Sequence, residues 1–139
     1  MGRLLAAAFA VAFLAPVVRA ERITIYSYSF SNQYVVRVSG EDLEKSPSWK
    51  DDAENPPLSA KKAIKLATEM KDSLVKDSKN YKWTLTSARL EPAGGGKWYW
   101  LIYYEAQFPI GTGIPDHLRL VVLMDGKVIK PEVRKYPEK

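Results

Sequence analysis

The chain's only histidine, His117, directly follows Asp116, a pairing that elsewhere does acid–base work or helps to hold a metal. There is no cysteine, which excludes a thiol nucleophile, a disulfide and cysteine-bound zinc. With no second histidine, a metal site would have to gather carboxylates from distant segments. His117 therefore reads as a strand-start residue beside Pro115. No Gly-x-Ser-x-Gly elbow offers a serine nucleophile. Gly94-Gly95-Gly96 has the N–H groups to cradle a phosphate, but phosphate loops open helices. These glycines precede the strand-like Lys97-Trp98, so they read as a turn. Asp51-Asp52-Ala53-Glu54 lacks the alternating oxygen ligands and mid-loop glycine of a calcium loop and reads as solvated. The reading therefore assigns no catalytic residue, no metal ligand and no cofactor.

A different signal lies in Lys97-Trp98-Tyr99-Trp100-Leu101-Ile102-Tyr103-Tyr104, where both strand parities are apolar. Trp98, Trp100, Ile102 and Tyr104 are expected to face a helix, leaving Tyr99, Leu101 and Tyr103 on the far face beside Val121 and Leu123. Soluble proteins seldom leave a large apolar patch bare. Three occupants are compatible with the pattern: the 40–57 loop folding back through Trp49, a partner or second copy of the chain, or a stacked ligand such as a sugar. The partner-binding residues read from this pattern are Tyr99, Leu101 and Tyr103, with Ile110 and Ile114 from the apolar-tipped 109–115 connection.

The elements that must position these residues follow from periodicity. Tyr26, Tyr28 and Phe30 alternate with serines, and Tyr34, Val36 and Val38 continue the parity of a half-buried strand; Ser31-Asn32-Gln33 reads as a bend within one long strand, with the turn of a hairpin as the alternative. Residues 40–57 lose periodicity and gather acidic side chains and prolines, predicting a long acidic loop with Trp49 as its one large apolar residue. Ser59 follows Pro56-Pro57-Leu58 as a helix cap. Ala63, Ile64, Ala67, Met70 and Leu74 recur at helical spacing, while Lys65–Glu69 and Asp72–Lys76 form opposite-charge steps on the solvated side. Strands are expected over 81–90, 97–108 and 117–124, with Asp125-Gly126 turning the last into 127–133. The expected class is α+β, with one helix packed on a curved antiparallel sheet of about four to five strands.

At the N-terminus, Arg3 precedes an apolar run from Leu4 to Val18 that closes on Val18-Arg19-Ala20, the layout of a cleavable signal peptide. Fifteen apolar residues are short of the roughly 20 needed to span a bilayer, so no stable membrane anchor is expected after cleavage. Residues 21–139 then form a single α+β domain, exported to a periplasmic or extracellular location. Losing Arg3 and Arg19 lowers the net charge of +5 by two, and so mild an excess gives no reason to expect nucleic acid. The missing disulfides and Asn-x-Ser/Thr sequons favour a bacterial envelope.

The run Ser59-Ala60-Lys61-Lys62-Ala63-Ile64-Lys65-Leu66-Ala67 and the closing Met124-Asp125-Gly126-Lys127-Val128 resemble a PepSY-type or cystatin-like domain over residues 58–133. Lys62 stands where that family often has Glu, and the 109–115 connection is longer than usual. The resemblance implies an exported, non-catalytic module that binds a protein or peptide, or alternatively an inhibitor or regulator of an exported peptidase. Gln107-Phe108-Pro109-Ile110-Gly111 differs from an inhibitory Gln-x-Val-x-Gly tip by its proline and sits one hairpin later.

Overall fold

The computed structural model describes residues 21–107 and 115–136; the expected signal peptide, Ile110 and Ile114 lie outside them. The elements are β1 (Glu21–Ser29), β2 (Asn32–Ser39), α1 (Gly40–Lys45), α2 (Ala60–Leu74), β3 (Lys82–Gly94), β4 (Lys97–Gln107), β5 (Asp116–Leu123) and β6 (Glu132–Lys135). They form two three-stranded antiparallel sheets, ordered β1-β2-β6 and β3-β4-β5. The expectation of one helix on a single four- to five-stranded sheet is overturned: the described residues are mostly β, with one long helix and one short one.

The physical reason is the double parity of β4. Trp100, Ile102, Tyr104 and Ala106 join Leu118, Leu120 and Val122 against Ala63 and Ala67 of α2. Tyr99, Leu101, Val121 and Leu123 form a second core with Val36, Val38 and Leu43. A sheet apolar on both faces must be covered on both, and each fully buried Val or Leu contributes about 1.5–3 kcal/mol. One helix covers one face. The other is covered by the β1–β2 hairpin and α1.

That hairpin replaces the single bent strand. Ser29 pairs with Asn32 and Ser27 with Tyr34, so the chain reverses at Phe30-Ser31 and odd residues of β1 share a face with even residues of β2. Ile23 and Ile25 set the inward parity, which carries Ser27 and Ser29 inward and turns Tyr26 and Tyr28 to solvent, the reverse of the expected burial. A period of two leaves no other outcome once the isoleucines are in the core. The small serines also let β1 close on β5, where the N–H of Arg119 donates to Ser27 Oγ at 2.7 Å.

The 40–57 segment is not wholly irregular. Ser39 caps α1 through the N–H of Asp42, and Asp42 accepts in return from the N–H of Ser39, a reciprocal capping box. Lys127 Nζ reaches Asp42 Oδ1 at 2.6 Å, fastening α1 to the turn after β5. Trp49 does pin the loop, with its main-chain N–H on Gly96 O at 3.1 Å, its indole N–H on Ala53 O at 2.9 Å and its ring edge-on to Trp98 at 5.4 Å. It anchors at the β3–β4 turn rather than over Tyr99 and Leu101.

The helix starts as expected, with Ser59 accepting from the N–H of Lys62. Its charges pair differently from the expected Asp72–Lys76 step: the exposed Asp72 meets the largely buried ammonium of Lys71 at 2.7 Å. After Asp125-Gly126 the expected hairpin partner reduces to one bridge between Val122 and Val128, and the chain crosses to the first sheet, where β6 pairs with β2.

Candidate functional site

Of the five residues read as a partner-binding surface, Tyr99 and Leu101 are each only 9% exposed and face the first sheet in the second core. The covering that β4 demands comes from the β1–β2 hairpin together with the 40–57 segment, which contributes Leu43 of α1 rather than Trp49. Tyr103 differs. It shares their parity but is only half-buried, and the far face of the second sheet emerges again at Tyr103, Glu105, His117 and Arg119, paired as Tyr103↔Arg119 and Glu105↔His117.

Here the structure assembles a continuous row of rings. His117 is 6.0 Å from Tyr103 and 5.9 Å from Tyr28 between centroids, and Tyr28 is 5.6 Å from Tyr136. The row draws on β4, β5, β1 and the residue after β6. Arg119 closes its far end, 5.3 Å over the Tyr103 ring, and Gln33 Nε2 donates to the Tyr28 hydroxyl at 3.1 Å. Tilted and edge-to-face ring pairs of this kind contribute about 0.5–1.5 kcal/mol each beyond area burial. The rings therefore hold one another in place while Tyr28 and Tyr136 stay exposed.

Burial, with Arg119 adding to it, holds the His117 imidazole below its ordinary range, so a neutral ring sits in the row at pH 7. Burial, reinforced by Glu105, pushes the Tyr103 phenol up. The row thus offers flat rings, phenol hydroxyls, one imidazole and one guanidinium. Among the described residues no group of three or more His, Cys, Asp or Glu side chains is placed to hold a metal.

A second group lies at the same end, round the β1–β2 turn. Phe30 has a φ of 53°, a left-handed conformation unusual for a bulky residue. Its N–H donates to Asp116 Oδ1 at 3.3 Å, and its ring, 57% exposed, lies 5.0 Å from that of Tyr81. Burial pushes the Tyr34 phenol up against an opposing hydrogen bond from Asn32, with Asp116 and Tyr81 adding to the rise.

Sequence reasoning missed Tyr28, Phe30, Tyr81, Arg119 and Tyr136. The serine–aromatic alternation of 26–30 was their one signal, and it was read with the inward face reversed. Comparison with family models, with curated proteins and with solved structures finds no match to this chain.

Proposed function

We propose that the chain is a small, non-enzymatic domain that works outside the cytoplasm and binds a protein or peptide through the row Tyr103, His117, Tyr28 and Tyr136 with Arg119. The observation that carries this reading is the inverted parity of β1, which turns its large rings to solvent and its serines into the interior. Tyrosine and arginine are enriched at protein interfaces because they bury much area with few rotatable bonds and still offer polar tips. A rigid row needs little further ordering on binding, which lowers the entropic cost of association. The extracytoplasmic setting rests on the layout of residues 1–20.

The test is selection of peptides from a displayed library on immobilised residues 21–139. Selected sequences are expected to bind the wild type and to lose binding to the Tyr28→Ser/Tyr103→Ser variant. Peptides that bind both equally would remove the row as the binding surface.

A further inference from the structure

Beside the β3–β4 turn lies an open cleft of about 200 Å³, lined by Trp49, Lys50, Asp51, Ala53 and Trp98. It is separate from the ring row, since Trp98 and Tyr103 stand about 17 Å apart along β4 at roughly 3.4 Å per residue. Both tryptophans are half-buried, and Trp98 also packs against the core beneath α2. Their planes meet at 71° with centroids 5.4 Å apart, which makes an aromatic corner rather than a parallel slot.

The corner is held by bonds of its own. The main-chain N–H of Trp49 donates to Gly96 O at 3.1 Å, its indole N–H to Ala53 O at 2.9 Å, and the N–H of Ala53 closes the turn on Lys50 O at 3.0 Å. With its indole donor spent, Trp49 offers the cleft only ring surface. Lys50 and Asp51 are exposed, and among the described residues no ion pair engages either side chain. Together they select against charge, because a cation meets the Lys50 ammonium and an anion meets the Asp51 carboxylate. A proline ring suits aromatic surface but leaves both polar groups unused. A pyranose uses every part of the lining. Its C–H face is apolar and suits the negative face of an indole, and each of its hydroxyls both donates and accepts. We propose that the corner is a subsite for a neutral sugar ring, stacked on tryptophan, giving one hydroxyl proton to the Asp51 carboxylate and accepting on a neighbouring hydroxyl from the Lys50 ammonium. The cleft is smaller than the roughly 300–1,000 Å³ of sites for drug-sized ligands, which fits a single ring. The inference goes beyond the peptide-binding reading and does not rest on it.

The test uses simple glycosides. The four tryptophans give four indole N–H resonances in the ¹⁵N-labelled protein, and Trp49→Phe and Trp98→Phe each assign one by its loss. At least one of methyl β-glucoside, methyl β-galactoside and methyl α-mannoside is expected to move the Trp49 and Trp98 resonances saturably in the millimolar range. Lys50→Ala and Asp51→Ala, both at exposed positions, should leave the spectrum of the free protein in place and weaken that glycoside several-fold each. A tetrasaccharide of the same sugar that binds more tightly assigns a ring within a glycan chain; equal affinity assigns a free or terminal sugar. Resonances that ignore all three glycosides would overturn the proposal, as would unchanged affinity in both alanine variants. N-acetylprolinamide or tetramethylammonium moving the pair while the glycosides do not would overturn it in favour of a peptide or a cation. None of these results bears on whether the Tyr28–Tyr103 row binds peptides, which the library selection decides separately.

Discussion

The main-chain N–H of Arg119 donates to the buried hydroxyl of Ser27 at 2.7 Å, and this bond, with that from Phe30 N–H to Asp116 Oδ1, joins β1 to β5 where the two sheets share no ladder. Removing the hydroxyl strands a backbone donor at a site closed to water. Ser27→Ala is therefore expected to cost about 1–3 kcal/mol, read as a lower urea midpoint at unchanged slope.

The buried Tyr99 and the exposed Tyr28 should respond to truncation by different amounts. Tyr99→Ser empties a buried position in the second core and is expected to cost about 3–5 kcal/mol, as large-to-small core changes do. Tyr28→Ser, on an exposed ring, should cost about 1 kcal/mol or less, mostly the lost ring contacts. Thermal unfolding of the two variants separates structural from binding residues before any partner is known.

His117 gives stability a pH dependence of definite sign. Its folded value lies below the ordinary 6.5, so as pH falls through that range the unfolded chain takes up the proton first. With more protons on the unfolded state, stability rises with pH; it should decline from about pH 7 downwards until the folded imidazole also titrates. Urea midpoints measured between pH 7.5 and 5.5 check this, with His117→Gln expected to flatten the histidine contribution.

The α1 cap makes a separate claim. Ser39→Ala removes the acceptor for the Asp42 N–H and is expected to cost about 1 kcal/mol. The Lys127 ammonium bonded to Asp42 holds its carboxyl below the ordinary range. Its contribution is present above the unfolded value and is lost as pH falls through the folded one. Amide exchange should locate the loosening in residues 40–45 and the turn at 125–127.

The helix was legible because its apolar spacing and its serine cap agree, and propensity, pattern and capping all point the same way. The strands of the second sheet were legible for a similar reason, with Gly94-Gly95-Gly96 marking the reversal between β3 and β4. What could not be read was which surface covers Tyr99 and Leu101. That depends on the Phe30-Ser31 reversal, which has neither glycine nor asparagine to announce its positive φ. With the turn read as a bend, the parity of β1 carries over into β2 unchanged, and Ser27 and Tyr28 exchange their expected sides. The destination of β6 was equally hidden, because Glu132–Lys135 is exposed throughout and carries no apolar pattern to name its neighbour. The row of rings inherits both errors, since Tyr28 reaches His117 only after the hairpin closes and Tyr136 reaches Tyr28 only after β6 crosses over.

The order β1-β2-β6 also fixes how the domain bears load. Both outer strands run antiparallel to β2, so they run parallel to each other. Glu21 pairs with Ser39 at one end of β2, and Lys135 with Asn32 at the other. A pull that separates residue 21 from residue 136 therefore acts along the strands and strains all the hydrogen bonds of each ladder together, instead of opening them one at a time like a zipper. Tethered at those two points, the first sheet is a shear clamp.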